Sequence, residues 1–433
     1  MERADAVIIG AGIIGAATAF ELAKAGVRTV SVDKNPAAGY GPTAASCAIV
    51  RVYYSTLAGM AFAYEGYFYW RDWRDYLEVD DERGLAEFRE TGCLVMQTPQ
   101  NDHLAKHIAH GRELGIPFEV WDAARIKEAL PFYDLGAFGP PKPLSDEGFG
   151  RAGDEPVKGG VFWPTGGYVT DPQLAAHNLQ RAAEAKGSRF VFGRRVVEIL
   201  KSAHRVVGVR LDDGSAIEAP IVVNVAGPHS AKINAMAGAL DDMTITTRAL
   251  KQEVVHVPAP AGSRYYERAP VTSDSDIGVY ARPEHGDHIL IGSEDPPCDP
   301  REWVDPDDYD QSFTEQSRLQ LYRYAQRVPT LGLPGRTAGV VELYDVTEDW
   351  IPIYDKSCVP GFYMAVGSSG NQFKNAAVAG KMMAALIDYC EGGNDHDAAP
   401  LTFRLTRIGR DIDVGFYSRR RTVNRESSFS VLG

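Results

Sequence analysis

A glycine-rich turn between a short apolar segment and a helix constrains the fold of this chain more than any other feature. Residues 5–9 have the length of a buried strand, Gly10-Ala11-Gly12-Ile13-Ile14-Gly15 follows directly, and residues 16–25 favour a helix. A second apolar run, residues 27–32, ends at Asp33, which lies about 20 residues after the turn. This order of strand, turn, helix, strand and acid predicts a dinucleotide-binding unit.

Each residue of the turn has a mechanical role in such a unit. Gly10 permits the tight turn, Gly12 lets the backbone approach a pyrophosphate, and Gly15 lets the helix pack closely on the strand. The N-terminus of the helix offers free N–H groups and partial positive charge to the phosphates, and Asp33 is placed to bind a ribose hydroxyl. The alternative is a glycine turn with a purely structural role.

Length and charge narrow the class of protein. The 433 residues predict two or three folding units. A net charge of −13 argues against a nucleic-acid or anionic-membrane partner, and no apolar run has the length of a membrane span. The five cysteines lie far apart without a C-x-x-C pair, which argues against a disulfide framework and against structural zinc. A reduced, cytoplasmic protein is the simplest interpretation.

Two later segments are predicted to return to the first unit. The first, residues 190–227, contains a hairpin signal at Asp213-Gly214 and a strand that ends in Ala226-Gly227. The second, residues 361–367, is a strand that leads into another glycine turn. We therefore expect a discontinuous cofactor domain of residues 1–86, 158–234 and 338–433, and a substrate domain of residues 87–157 and 235–337.

The chain resembles the D-amino-acid oxidase, glycine oxidase and sarcosine oxidase group of flavoenzymes along nearly its whole length. Besides the first turn and Asp33, the similar motifs are Thr43-Ala44-Ala45-Ser46, Ile49-Val50-Arg51, Glu90-Thr91-Gly92-Cys93-Leu94, Thr165-Gly166-Gly167-Tyr168, Ala226-Gly227-Pro228-His229-Ser230, Gly278-Val279-Tyr280, Thr347-Glu348-Asp349 and Gly370-Asn371-Gln372-Phe373-Lys374. The resemblance implies an α/β fold, with a Rossmann-like FAD-binding domain and a substrate domain built on an antiparallel sheet.

The implied cofactor is extended FAD, with its isoalloxazine ring between the two domains. The resemblance assigns cofactor contacts to Gly10, Gly12, Ile13, Ile14, Gly15, Asp33, Lys34, Thr43, Ala45, Ser46, Val197, Ala226, Gly227, Gly370, Asn371, Gln372, Phe373 and Lys374. The cysteine that tethers FAD in monomeric sarcosine oxidases is matched here by Glu342, so the FAD is expected to be non-covalent.

The same resemblance implies a substrate site. Arg51 and Lys374 match the two cations that hold the substrate carboxylate, and Tyr280 and Tyr344 match the two active-site tyrosines. Two alternatives remain for the cations: a pyrophosphate or surface role for Arg51, and a simple flavin-ring contact for Lys374. The tyrosines are alternatively plain core residues.

Two departures from the group bear on chemistry. Leu290 stands in place of the oxygen-activating lysine, which favours another electron acceptor, such as a protein or a quinone. Glu294 stands in place of an active-site histidine and is predicted either to face a cationic part of the substrate or to turn to solvent.

The predicted function is FAD-dependent oxidation of a small amino acid, with N-methylated ones favoured, to an imine with hydride transfer to flavin N5. The substrate partner is thus a small amine that bears a carboxylate. Two alternatives are a 2-hydroxy-acid dehydrogenase, with Glu294 or His229 as the base, and a non-catalytic flavoprotein assembly factor.

Several other patterns are interpreted as structural rather than functional. No metal is predicted, although His103, His107 and His110 share a helical face. The aromatic run around Trp70 is interpreted as core, and the basic cluster Arg419-Arg420-Arg421 as a source of ion pairs within or between subunits.

Overall fold

The computed structural model describes residues 2–101 and 104–432. Its strands, in chain order, are β1 (Glu2–Arg3), β2 (Ala6–Ile9), β3 (Thr29–Asp33), β4 (Ile49–Val50), β5 (Phe88–Arg89), β6 (Cys93–Gln97), β7 (Glu119–Asp122), β8 (Gly159–Trp163), β9 (Gly167–Val169), β10 (Arg189–Phe192), β11 (Val196–Ser202), β12 (Arg205–Leu211), β13 (Ala216–Glu218), β14 (Ile221–Asn224), β15 (Arg248–Pro258), β16 (Val271–Asp274), β17 (Val279–Glu284), β18 (His288–Ser293), β19 (Gly339–Val346), β20 (Ile353–Lys356), β21 (Phe362–Val366), β22 (Thr402–Leu405) and β23 (Arg410–Asp413).

The helices alternate with these strands. They are α1 (Ile13–Lys24), α2 (Leu57–Arg71), α3 (Trp73–Leu77), α4 (Leu104–Leu114), α5 (Ala123–Ala129), α6 (Pro172–Ala185), α7 (Ser230–Ala237), α8 (Tyr265–Arg268), α9 (Glu315–Arg327) and α10 (Ala376–Glu391). Short 3₁₀ turns cover Gly227–His229, Phe373–Asn375 and Val414–Tyr417. None of the described helices is long and apolar enough to cross a membrane.

A six-stranded sheet in the order β10-β3-β2-β14-β21-β20 carries the glycine turn. Its first five strands are parallel and β20 is antiparallel to β21. Helix α1 packs between α6 and α10 on one face, and a four-stranded sheet in the order β1-β13-β12-β11 covers the other. Because parallel strands point the same way, the glycine turn after β2, Asp33 at the end of β3 and the turns after β14 and β21 meet at one sheet edge.

An eight-stranded sheet in the order β19-β15-β18-β17-β16-β6-β8-β7 forms the second part of the molecule. All its pairings are antiparallel except that of β6 with β16, and α9 packs against β15 and β18. The predicted α/β architecture with a largely antiparallel second sheet is therefore confirmed. Strands β8 and β19 belong to this sheet, whereas the expected boundaries at residues 158 and 338 place them in the cofactor domain.

The aromatic run and the basic cluster both have structural roles. Tyr67, Tyr69 and Trp70 of α2 are buried in the largest apolar core, as expected for a core helix. Arg419 is buried and pairs with Asp242, Asp355 and Asp397. Of the two kinds of ion pair expected for the basic cluster, within or between subunits, these pairs lie within the chain.

Candidate active site

The turn after β2 requires glycine at two positions. Gly10 has a φ of +108°, and a Cβ there would lie 2.3 Å from the carbonyl oxygen of Val225. A Cβ on Gly15 would lie 2.1 Å from the carbonyl oxygen of Gly10. Helix α1 begins at Ile13, within the glycine-rich turn, and its N-cap Gly12 provides no side chain to bind the first N–H groups. The turn therefore offers backbone N–H groups and helix-dipole charge to an anion.

Asp33 at the end of β3 holds this turn in place. Its Oδ2 accepts a hydrogen bond of 2.7 Å from the Ala11 N–H, and its Oδ1 accepts one of 2.8 Å from the Asn35 N–H. Burial raises the pKa of Asp33 despite these bonds. Thr43 Oγ1 accepts a hydrogen bond of 3.1 Å from the Ile13 N–H and so secures the following loop against the helix.

A cavity of about 500 Å³ extends from this turn to the eight-stranded sheet. Most of the predicted cofactor residues line it: Gly10, Gly12, Ile13, Ile14, Gly15, Asp33, Lys34, Thr43, Ala45, Ser46, Ala226, Gly227, Gly370, Asn371, Gln372, Phe373 and Lys374. Val197 is the exception, because successive residues of β11 face opposite sides. Val196 is buried and lines the cavity, whereas the side chain of Val197 is exposed.

Arg51 follows β4 and lies buried in the cavity wall. Its Nη1 donates a hydrogen bond of 2.5 Å to the carbonyl oxygen of Tyr53, and its Nη2 donates one of 2.7 Å to that of Val431. The guanidinium lies 4.4 Å from the centre of the Tyr54 ring. These contacts account for two of the five N–H donors of the guanidinium and fix its plane.

Lys374 lies in the short 3₁₀ turn after β21, where only 2% of its surface is exposed. Its Nζ donates a hydrogen bond of 2.6 Å to the carbonyl oxygen of Asn371, which also accepts one of 2.6 Å from the Tyr54 hydroxyl. Burial, together with the positive charge of Arg51, lowers the pKa of Lys374 well below its usual value. Among residues 2–101 and 104–432, no carboxylate forms an ion pair with either cation, so this wall suits an anionic ligand.

The two predicted tyrosines line the same cavity from the eight-stranded sheet. The Tyr280 hydroxyl of β17 lies 3.6 Å from Cys47 Sγ. The Tyr344 ring of β19 lies against the glycine turn, because a Cβ on Gly370 would be 2.4 Å from its Cε2. Burial raises the pKa of both hydroxyls, so both remain neutral. They offer apolar faces with polar tips to a small ligand.

Glu294 does not line the cavity, contrary to the prediction that it faces the substrate or solvent. It follows β18 and is buried, where it accepts hydrogen bonds of 2.5 Å from Ser273 Oγ and 2.8 Å from Ser275 Oγ. Burial raises the pKa of Glu294 to about 7. Ser273 lines the cavity, so Glu294 lies one side chain behind the wall.

Several residues of the cavity wall were not predicted. Asp345 is buried and accepts a hydrogen bond of 2.6 Å from the Gly367 N–H, and burial raises its pKa to about 7. Val431 and Leu432 reach the cavity from the far end of the chain. Tyr53 also lines the cavity, and its position two residues after Arg51 is the one feature of the local sequence that could have indicated a residue of this group.

An ion cluster centred on Asp307 lies where a loop of the second part crosses the cofactor end of the cavity. The carboxylate of Asp307 pairs with Lys34, Arg195 and Lys232 at 2.7–3.6 Å, and its Oδ1 lies 3.1 Å from Nε2 of His229. His229 is bound within this cluster, since Lys34 Nζ also lies 2.8 Å from its Nε2. Nothing in the sequence near Asp307 indicates this arrangement.

Of the three histidines considered as metal ligands, His103 lies outside the described residues. The ring of His107 is 5.6 Å from that of Tyr53 and packs against it. In the described ranges, one group of possible metal ligands does come together, at Asp81, Glu82 and His177, and it lies apart from the cavity.

The donor groups along the cavity fit FAD. The glycine cradle and the N-terminus of α1 would hold the pyrophosphate, Asp33 would hold a ribose hydroxyl, and the turn at residues 370–374 would contact the ring system. Glu342 also lines the cavity, half-buried, and accepts a hydrogen bond of 3.1 Å from the Tyr309 hydroxyl. A carboxylate at that position provides no thiolate for a covalent link.

Comparisons with known proteins agree with this fit. A family model described as FAD dependent oxidoreductase matches residues 5–386. Glycine oxidase of Geobacillus kaustophilus is 24% identical over 418 residues, which cover 94% of this chain and 99% of that protein. FAD-dependent oxidoreductase domain-containing protein 1 of Bos taurus is 24% identical over 428 residues, covering 89% and 81%. Among solved structures, L-proline dehydrogenase from P. horikoshii superimposes with a TM-score of 0.76 at 22% identity, covering 97% of this chain and 98% of that chain.

Proposed function

The chain belongs to the FAD dependent oxidoreductase family, and from this premise we propose that it oxidises a small amino acid with a secondary amine to the imine. One observation carries the proposal. Arg51 and Lys374 share one cavity wall, and no carboxylate of the described residues pairs with either. A buried guanidinium and a buried amine beside the predicted flavin turn, with no carboxylate partner among the described residues, are suited to a substrate carboxylate, which would itself favour protonation of the amine.

The chain would bind FAD non-covalently through the cradle described above. When bound, FAD supplies the two-electron oxidation of the substrate by accepting a hydride equivalent at N5. Arg51 and Lys374 on the buried cavity wall would orient the reacting carbon by holding the substrate carboxylate.

Lys374 would change its protonation state when the substrate binds. Its low pKa favours the neutral amine when no anion is near, and a carboxylate placed against it would raise that pKa. Tyr280 and Tyr344 would form the apolar wall beside the substrate amine. The preference for a secondary amine, including N-methylated ones, is supported by the resemblance to sarcosine oxidases and by the fold shared with L-proline dehydrogenase.

The geometry supports this function better than 2-hydroxy-acid oxidation. That reaction needs a base at the carbinol, for which His229 and Glu294 are the candidates. His229 is held by Lys34 and Asp307 in the ion cluster, and Glu294 lies behind Ser273. A non-catalytic role does not explain why Arg51 and Lys374 are buried together on the cavity wall with no carboxylate partner among the described residues.

We also propose an electron acceptor other than oxygen, such as a quinone or a protein. Leu290 stands where the resemblance places the oxygen-activating lysine, and its side chain packs with an apolar cluster that includes Tyr280 and Trp350. This position therefore provides no cation to stabilise the charge that develops when oxygen is reduced.

The proposed function is tested by anaerobic bleaching of the flavin absorbance. N-methyl amino acids, proline, glycine, D-amino acids and 2-hydroxy acids are mixed with the FAD-loaded protein, each beside the matched amine that lacks the carboxylate. Bleaching by secondary amino acids and not by their decarboxylated analogues is expected. Bleaching by hydroxy acids alone, or by no compound while dithionite still reduces the flavin, would refute the proposal.

A further inference from the structure

The segment of residues 427–432, called the wall segment below, returns to the cavity from the last part of the described chain. Before it, Arg421 is tied to the buried Asp349, with Nη2 2.7 Å from Oδ1. Asn424 donates a backbone hydrogen bond of 3.2 Å to the same carboxylate. The chain then crosses to the cavity, where Val431 and Leu432 form part of the lining.

Side chains of the wall segment are buried in the protein beside the cavity. Val431 is 8% exposed and belongs to an apolar cluster with Cys47, Leu250 and Tyr280. Ser427 and Ser430 are also buried. Val431 thus belongs to the same apolar cluster as Tyr280, one of the two tyrosines that line the proposed substrate site.

The backbone of the wall segment contacts the proposed carboxylate-binding residue. The Val431 carbonyl oxygen accepts a hydrogen bond of 2.7 Å from Arg51 Nη2 across 380 residues of sequence. Since the Tyr53 carbonyl oxygen accepts from Nη1, the two carbonyls fix the guanidinium plane from both ends. Each still leaves N–H donors of Arg51 for a ligand in the cavity.

An exposed arginine anchors the wall segment from outside. Arg301 Nη2 donates a hydrogen bond of 2.8 Å to the Phe429 carbonyl oxygen, and its guanidinium lies 5.2 Å from the centre of the Trp350 ring. Arg301 does not line the cavity. The wall segment can therefore be loosened without changing a residue of the site.

We propose that the wall segment determines substrate specificity: the Val431 side chain limits the size of the substrate, and the Val431 carbonyl positions Arg51 for the carboxylate. The proposal rests on the proposed function in one respect, namely that Arg51 binds the carboxylate. Val431 is a specificity-determining residue in this scheme, and Arg301 is a positioning residue. One methylene group in an apolar pocket discriminates ligands by about 10- to 200-fold, so a single valine can select against longer side chains.

The test measures carboxylate binding rather than turnover, so that it is independent of the proposed reaction. The FAD-loaded protein is titrated with acetate and with benzoate while the flavin absorbance is followed. Val431→Ala removes two methyl groups and keeps the backbone carbonyl, so the affinity for benzoate relative to acetate is expected to rise at least tenfold. Val431→Phe is expected to shift the ratio in the opposite direction. An unchanged ratio in both variants would overturn the size-limiting role.

A second variant tests the positioning role without altering the core. Arg301→Ala is expected to weaken acetate binding at least threefold at unchanged FAD content. The matched control is Arg318→Ala, since Arg318 is another exposed arginine, and its side chain contacts Tyr322 of its own helix rather than the wall segment. Equal acetate affinity in these two variants would overturn the positioning role. If acetate binds as expected but no amino acid bleaches the flavin, the proposed function fails and the inference stands.

Discussion

Lys374→Met is the most informative single change in the proposed site. The Lys374 amine is buried, its one hydrogen bond within the described chain is to the Asn371 carbonyl, and Arg51 adds a second positive charge nearby. Both burial and that charge lower the pKa of Lys374, so the protonated form is disfavoured before a ligand binds. A carboxylate against the amine would reverse this preference.

The affinity for a carboxylate should depend on pH, because binding is linked to protonation of Lys374. The protonated amine is the form that binds a carboxylate, so binding takes up a proton wherever the free amine is neutral. Affinity for a carboxylate should therefore fall with rising pH, by up to tenfold per unit, between the pKa of the free and of the bound state. The Met variant has no such proton to take up and should lose the slope.

The expected loss of carboxylate affinity in Lys374→Met depends on the hydrogen bond between the protonated amine and the carboxylate, which the substitution removes. A hydrogen bond to a charged group is worth ~1.5–3 kcal/mol. At about 1.4 kcal/mol per decade, Lys374→Met should weaken carboxylate binding roughly 10- to 200-fold at low pH. The difference from wild type should shrink at high pH, where the lysine is neutral in both the free and the bound protein.

The assay is a titration of the FAD-loaded protein with acetate from pH 6 to pH 9, with acetamide as the uncharged control. Glu294 and the cavity residue Asp345 both titrate within this range, because burial raises the pKa of each to about 7. Glu294→Gln and Asp345→Asn are therefore the matched controls, and both should keep the slope. Wild-type affinity in Lys374→Met at every pH, or a slope that persists in it, would refute the reasoning.

Three further outcomes are expected. In urea titrations, the free energy of unfolding of the wild type should fall by up to about 3 kcal/mol between pH 5 and pH 8 relative to that of Glu294→Gln. The reason is that the pKa of Glu294 is raised in the folded state, so ionising this carboxyl as the pH rises destabilises the fold. Parallel pH profiles of the two proteins would contradict this. Acid or heat should release all FAD, since Glu342 replaces the tethering thiol, and colour that stays with the denatured chain would indicate a covalent link, with Cys47 of the cavity wall the first candidate. In stopped-flow experiments, the reduced protein should be reoxidised faster by an artificial quinone than by oxygen at air saturation. Leu290→Lys should raise the rate of reoxidation by oxygen. A wild-type protein that already reacts with oxygen as fast as an efficient oxidase would contradict the role assigned to Leu290.

The sequence by itself determined the features that depend on neighbouring residues. The turn at Gly10–Gly15 is determined largely by local geometry, because Gly10 has a φ of +108° and a Cβ on Gly15 would collide with the carbonyl oxygen of Gly10. The aromatic spacing of α2 likewise predicted a buried helix, and the order of strand, turn, helix and strand predicted the dinucleotide-binding unit at the start of the chain. These features could be predicted from the sequence because local backbone conformation and the buried face of a helix depend mainly on neighbouring residues.

Only the tertiary structure determined which strand residues face the cavity and how distant segments of the chain pack together. Val196 rather than Val197 lines the cavity, because the side on which a strand residue lies depends on its register with other strands. Glu294 is held behind Ser273 by a hydrogen bond between two strands' ends. Val431 reaches Arg51 from 380 residues away, a contact that depends on the packing of the whole chain and has no local pattern to predict it.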